Sequence, residues 1–278
     1  MLAHLGAMKC EICGGAAVYY FSKTFNAFTL EDVDYWRCAD CGFVLSRTHA
    51  DLSPAAWTEL NRLCHEQYQG TDSNALDPRW KSRIAAQARM LSDLAGGGLL
   101  DPSGRWLDFG CGDGVLSNAA ADHGLSLLKY DEYMAADDGY LPTDALTPGG
   151  FDFVISTSVF EHMTRRDQWD GVNALVAPNG ALGIHTLITE TVPRDPTWFY
   201  LQPPHCAFFT NAAMARLFEE WGYRSSIYSV AASLWVWFRS DPEEVERKAT
   251  LVNRRAADPI LFKAGFLDYW KGDPRRKV

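Results

Sequence analysis

Leu107-Asp108-Phe109-Gly110-Cys111-Gly112-Asp113-Gly114 is the stretch that decides the fold of this 278-residue chain. It continues the apolar run Arg105-Trp106-Leu107 and leads into Val115-Leu116-Ser117-Asn118, a segment whose composition predicts a short helix closed by Gly124. A G-x-G loop carries information in that strand-to-helix setting. Its residues without Cβ let the backbone lie close to a ligand, and the helix start offers unpaired N–H donors. Asp131 closes the next predicted strand, Leu125 to Asp131, 23 positions after Asp108. A carboxylate placed there can accept two hydrogen bonds from ribose hydroxyls.

On either side of this loop, strand and helix alternate. Asp152 to Thr157 reads as a strong apolar strand, and Ala181 to Ile188 reads as another after a turn at Pro178-Asn179-Gly180. A helix is predicted over 211–221 with Met214, Leu217, Phe218 and Trp221 on one face. The strands 223–230 and 233–239 are close enough to pair antiparallel. Upstream, 51–75 reads as helical. Asp77 and Pro78 give N-cap and N1 signals for a further helix, in which Trp80, Ile84, Leu91 and Leu94 recur at helical spacing before glycines 96–98 end it. The alternation predicts a doubly wound, mostly parallel α/β sheet with helices on both faces. The organisation expected is a small module over 1–50 that holds Cys10, Cys13, Cys38 and Cys41, a helical connector over 51–100, a cofactor-binding domain over 101–240 and a charged helical tail over 241–278.

Two cysteine pairs precede all of this. Cys10-x2-Cys13 and Cys38-x2-Cys41 are knuckles 24 residues apart, each followed by a glycine (Gly14, Gly42) that permits a tight turn. Four thiolates complete a tetrahedral shell with no open position, which predicts structural zinc rather than a catalytic ion. Neither pair opens a βαβ pattern, which argues against a redox C-x-x-C. Cys64, Cys111 and Cys206 read as packing residues.

The glycine loop resembles motif I of class I S-adenosylmethionine-dependent methyltransferases, an acidic residue followed by x-G-x-G-x-G, with Asp108, Gly110, Gly112 and Gly114 in the four positions. Tyr130-Asp131-Glu132 resembles that family's ribose-binding strand end. Thr143-Asp144-Ala145 resembles the segment whose carboxylate contacts the adenine amino group. The run from Phe151 to Ser156 and on through Val159-Phe160-Glu161-His162-Met163 resembles its fourth strand and following loop, and Ala177 to Leu182 the turn into its fifth. The resemblance covers about 75–240. It implies a seven-stranded Rossmann-like sheet with an antiparallel last strand, and S-adenosylmethionine held by Asp108, Gly110, Cys111 (through its backbone), Gly112, Asp131, Glu132, Asp144, Ala145 and Ser156. His162 is a candidate wall residue of that site.

After the fifth strand come His185-Thr186-Leu187, Trp198-Phe199-Tyr200 and Pro203-Pro204-His205-Cys206-Ala207-Phe208-Phe209-Thr210. Ligands of doubly wound sheets bind beyond the carboxyl ends of the strands, so this insertion is expected to form a lid and acceptor pocket. The His-x-x-Phe-Phe-Thr portion resembles a segment of small-molecule methyltransferases, sugar C-methyltransferases among them, in which a histidine lies close to the acceptor. A methyl acceptor must lose a proton, and an imidazole suits that task. His205 is the first candidate base and His185 the second.

The formal net charge of −9 argues against a nucleic-acid partner, since phosphate binding depends on Lys and Arg. No apolar run is long enough to span a bilayer, and Met1 to Cys10 lacks the blocks of a secretory signal, so a cytoplasmic location is expected. The partner expected is a small-molecule acceptor, with a homodimer left open. RNA methylation with the zinc module gripping nucleic acid, and a non-catalytic cofactor-binding module, stand as alternatives.

Overall fold

The computed structural model describes residues 8–28, 30–68, 79–133 and 139–268. The chain divides into two units, each assembled from segments far apart in sequence. Of the described residues, the first unit takes those within Met1–Thr71, Val159–Trp169 and Thr186–Leu217. The second takes those within Asp72–Ser158, Asp170–His185 and Phe218–Val278.

The first unit begins with β1 (Met8–Lys9), β2 (Ala16–Ala27), β3 (Leu30–Cys38) and β4 (Val44–Ser46), followed by the short α1 (Arg47–Ala50) and α2 (Pro54–Tyr68). The long hairpin β2–β3 absorbs the wide spacing between the cysteine pairs, bringing Ala17 opposite Cys38. One face of it is apolar. Phe21, Val33 and Tyr35 pack with Val44 of β4, Leu60 and Cys64 of α2, and Leu201 and Phe208.

In the second unit, α3 (Trp80–Gly96) starts behind Arg79, whose side chain makes no cap bond; Asp77 and Pro78, the expected cap, lie outside the described residues. Leu91 and Leu94 of its predicted face are fully buried and Ile84 is partly so. Next come β5 (Trp106–Phe109), α4 (Val115–Ala121), β6 (Leu127–Tyr130), β7 (Phe151–Thr157), α5 (Arg166–Leu175, of which Arg166–Trp169 belong to the first unit) and β8 (Val176–His185). In β7 only Asp152 is exposed, the signature of a strand covered on both faces. The predicted turn at Pro178-Asn179-Gly180 lies inside β8. Pairing with β7 jumps from Phe151↔Val176 to Phe153↔Ala181, so the turn residues form an irregularity within the strand rather than its start.

Two short strands then return to the first unit, β9 (Ile188–Thr189) and β10 (Ala207–Thr210), followed by α6 (Asn211–Glu220). The insertion expected to be a lid thus ends in sheet. β10 pairs with β4 and β9, extending a six-stranded sheet in the order β1-β2-β3-β4-β10-β9. Met214, Leu217, Phe218 and Trp221 are all buried, as their spacing predicts. Last come β11 (Ser225–Ser229), β12 (Leu234–Phe238), α7 (Pro242–Asn253) and β13 (Ile260–Ala264). The second sheet runs β13-β11-β12-β8-β7-β5-β6. Its pairings are parallel from β8 to β6, and β12 is antiparallel to both β8 and β11, which is the expected Rossmann-like architecture. The segment read as a charged helical tail supplies α7 and also β13, the seventh strand, antiparallel to β11. Among the described residues no helix is long and apolar enough to cross a membrane.

Candidate functional site

The glycine loop leaves β5 and folds back on the end of β6. The amides of Gly110 and Cys111 both donate to the Tyr130 carbonyl, at 2.8 and 3.0 Å. Gly110, Gly112 and Gly114 all have positive φ (73°, 52° and 70°). At Gly112 this matters twice. The left-handed backbone disfavours a side chain, and a Cβ there would meet no atom within 4 Å, so it would project into open space above the loop. Gly114 caps α4, and Asp113 is exposed.

Asp131 binds the loop from the other strand. Its Oδ2 accepts from the Gly112 amide at 2.8 Å and its Oδ1 from the Tyr133 amide at 2.9 Å. A carboxylate offers about four acceptor sites in all, enough in principle for backbone amides and ligand hydroxyls together. Asp108 lies beneath the loop, fully buried, with Oδ2 accepting from Ser117 Oγ at 2.8 Å. Its Oδ1 and the Oγ of the equally buried Ser156 have no hydrogen-bond partner among the described residues. Burial pushes the Asp108 carboxyl up to about 7, and the negative charge of Asp131 adds to that against the Ser117 bond. A buried carboxylate oxygen without a partner, next to an open glycine loop, fits a ligand that brings hydroxyls and a cationic group, as S-adenosylmethionine does. Asp144 and Ala145 fall in a single 3-10 turn, Thr143–Ala145, with Asp144 exposed; Glu132 is exposed beside Asp131.

The four knuckle cysteines converge in the first unit. All four Sγ atoms lie within 4.8 Å of one another, with Cys10–Cys41 at 3.7 Å and Cys13–Cys38 at 3.4 Å. Zinc–sulfur bonds of about 2.3 Å in a tetrahedron set sulfurs ~3.8 Å apart, so the cage has the size such an ion requires. The two knuckles have equivalent turns. Gly14 N donates to Cys10 O and Gly42 N to Cys38 O, with φ near +72° at both glycines, as the sequence predicts. The Cys41 bond pulls the Cys10 thiol down to about 5, while the same bond pushes Cys41 up.

The two candidate bases stand in different surroundings. His185, at the end of β8, gives its Nδ1 proton to the Ser233 carbonyl at 2.6 Å. His205 is buried in the first unit and gives its Nδ1 proton to the Tyr200 carbonyl at 2.8 Å, leaving the lone pair on Nε2. Burial pushes its imidazole down to about 4, against the pull of the Tyr200 carbonyl, so it is neutral at neutral pH. His162 packs against it, ring centroids 4.9 Å apart at 87°.

Several further residues, Cys206 (expected only to pack) among them, bear on these sites. Glu161 is buried and accepts from Tyr200 Oη at 2.6 Å. Cys206 donates its amide (2.8 Å) and thiol (3.3 Å) to the Glu161 carbonyl, holding the loop after β7 against the start of β10. His49 lies between Ser46 Oγ at 2.7 Å and the Pro203 carbonyl at 2.8 Å. In the second unit, Tyr140 Oη donates to the Gly112 carbonyl at 2.8 Å. Glu161 and Tyr200 both sit in quoted motifs, yet they are 39 positions apart and only the folded pairing joins them.

A family model described as a methyltransferase domain matches residues 79–225. Among solved structures, the chain is similar to the Burkholderia thailandensis 1,6-didemethyltoxoflavin-N1-methyltransferase, solved with 1,6-didemethyltoxoflavin and S-adenosylhomocysteine. That likeness has 15% identity, covers 73% of this chain and 98% of that one, and has a TM-score of 0.48. It is also similar to the Synechocystis magnesium protoporphyrin IX methyltransferase with S-adenosylhomocysteine (17% identity, 66% and 95% covered, TM-score 0.44). A third similar structure is a Thermotoga maritima S-adenosylmethionine-dependent methyltransferase described as a possible histamine N-methyltransferase (14%, 66% and 100%, TM-score 0.38). A search of curated proteins finds no match.

Proposed function

The chain belongs to the methyltransferase-domain family, and on that footing we propose that it moves the methyl group of S-adenosylmethionine to a small-molecule acceptor. The observation that carries this reading is the tie between Gly112 and Asp131 beside the orphaned Asp108 oxygen: an open loop with one carboxylate bonded to it, proposed to take the ribose hydroxyls, and another buried without full partners. Gly110, the Cys111 backbone, Glu132, Asp144, Ala145 and Ser156 complete the proposed cofactor set.

S-adenosylmethionine supplies a methyl on a positively charged sulfur, and transfer is an in-line displacement in which the sulfur keeps the electron pair of the broken bond. This chain's part is to orient both reactants and to take the acceptor's proton. His205 is the proposed base, its Nε2 lone pair set by the Nδ1 bond to Tyr200; His185 is the second candidate. A histidine base suits an acceptor hydroxyl or an acidic carbon. The acidic net charge and the aromatic rings beside His205, with Tyr200 4.6 Å away, favour a small organic acceptor over RNA. The four cysteines are proposed to hold structural zinc, and the three thiols outside the cage, Cys64, Cys111 and Cys206, suit the reducing cytoplasm proposed for this chain.

Calorimetric titration with S-adenosylhomocysteine tests the reading. The wild type should bind with a micromolar Kd, about −8 kcal/mol, and Asp131→Ala should abolish binding. A folded, zinc-loaded wild type that does not bind would overturn it. His205→Asn should bind S-adenosylhomocysteine as the wild type does and lose transfer.

A further inference from the structure

A second cluster of ligating atoms lies in the first unit, apart from the cysteine cage. Glu161, His162 and His205 each present one ligand atom, and those atoms all lie within 4.8 Å of one another. We propose that these three residues form a site for a divalent transition-metal ion, bound by two imidazoles and one carboxylate.

The chemistry of the ligand set separates it from the knuckle site. Four thiolates make a soft, closed shell. Two imidazoles and a carboxylate are of intermediate softness, suit zinc, iron or cobalt better than magnesium or calcium, and leave coordination positions open.

The supporting contacts are those that orient metal ligands. A ligating histidine usually gives its second ring N–H to a carbonyl or carboxylate, which fixes the ring and presents the other nitrogen. His205 does this with the Tyr200 carbonyl at 2.8 Å. A ligating carboxylate is itself usually hydrogen-bonded, and Glu161 accepts from Tyr200 Oη at 2.6 Å. One residue thus positions two of the three ligands, through its carbonyl and its hydroxyl. The third ring stands at 87° to the second, so both imidazoles can direct nitrogens to one point without stacking. The Cys206 amide and thiol, both donating to the Glu161 carbonyl, fix the two ligand-bearing segments in register. Glu161 and His205 are also almost wholly buried, at 1% and 8% exposure, so the carboxylate's charge sits where a cation would be held strongly.

The inference rests on the proposed function in one respect. An ion at this site takes the Nε2 lone pair of His205, the same pair that would receive the acceptor's proton. Ion and proton therefore compete for one atom, and metal occupancy restrains transfer.

Cobalt(II) titration of the zinc-loaded full chain is the test. Wild type should take up one equivalent of cobalt beyond its zinc, with weak visible d–d bands and none of the intense near-ultraviolet thiolate absorption of a cysteine site. His205→Ala and Glu161→Gln should lose that equivalent while keeping their zinc. His162→Gln, which alters the least buried of the three ligands, should on its own weaken cobalt binding at least tenfold. No uptake by the wild type, uptake with thiolate absorption, or unchanged uptake by His162→Gln would overturn the site. S-adenosylhomocysteine titration of the same samples reads the proposed function separately: cobalt uptake without cofactor binding sinks that reading and leaves this one, and the converse does the reverse.

Discussion

The Gly112 amide donates to Asp131 Oδ2 across 2.8 Å, tying the glycine loop to the strand end that follows β6. Both partners should therefore matter to binding, in different ways. Gly112→Ala should cost about 1 kcal/mol of stability through its positive φ, because its methyl meets no atom within 4 Å. The same methyl occupies the space proposed for the cofactor, so affinity for S-adenosylhomocysteine should fall at least tenfold. A variant that binds normally would place the cofactor elsewhere.

Asp108 should couple binding to protons. Its folded-state pKa, about 7, lies above the ordinary 3.8. The stability it contributes is thus complete below about pH 4 and is lost as pH rises through 7. Asp108→Asn keeps an acceptor for Ser117 and should be more stable than wild type at pH 8, by on the order of 4 kcal/mol, with the difference vanishing near pH 4. Binding a ligand with an ammonium group should drive Asp108 to its ionised form. Calorimetry near pH 7 in two buffers of different ionisation heat should show proton release in wild type and none in Asp108→Asn.

His49 gives the opposite sign. It is buried between Ser46 and Pro203, and burial depresses its pKa to about 4 from 6.5. Its stabilising contribution is present above pH 6.5 and is lost as pH falls to 4, on the order of 3 kcal/mol in all. His49→Gln should flatten the acid limb of a plot of thermal midpoint against pH. An unchanged slope between pH 6.5 and 4 would show that this imidazole is protonated in the folded chain.

Removal of the zinc proposed for the cysteine cage should be felt locally. Glu11, between the first two cysteines, accepts from the Arg166 amide at 2.9 Å, and the Ile12 carbonyl accepts from the Arg166 side chain at 2.9 Å. The Cys41 carbonyl accepts from Thr210 Oγ1. Chelation, or Cys38→Ser, should lower amide protection in 159–169 and 206–213 while β5 to β8 keep theirs, as measured by hydrogen exchange. Uniform loss across both sets of segments, or no loss, would contradict this.

What could be read from the sequence divides by range. The glycine loop, the two knuckle turns, the buried face of α6 and the pairing of β11 with β12 all rest on residues within about a dozen positions of one another. Propensity and period act at that distance. β13 escaped because Ile260-Leu261-Phe262-Lys263-Ala264 is short, follows a charged helix, and is buried only at its first residue. Pro178-Asn179-Gly180 has turn chemistry, yet β7 on one side and β12 on the other carry the strand past it. The strand character of Ala207 to Thr210 was hidden behind two prolines and became visible only when β4, some 160 positions earlier, supplied its partner. The Glu161–Tyr200–His205 contacts are set by that same long-range pairing, so neither the spacing nor the composition of the segments announced them.

β11 is buried at all five residues and lies between β12 and β13. Without β13 its outer row of amides and carbonyls would be bare, a template for any extended chain that approached it. β13 takes that outer position with two exposed residues at its end, Lys263 among them, and a charged side chain on an outermost strand discourages further addition. The last described stretch of the chain therefore guards against self-association. A chain shortened to end before residue 254 should keep its glycine loop and self-associate in a concentration-dependent way.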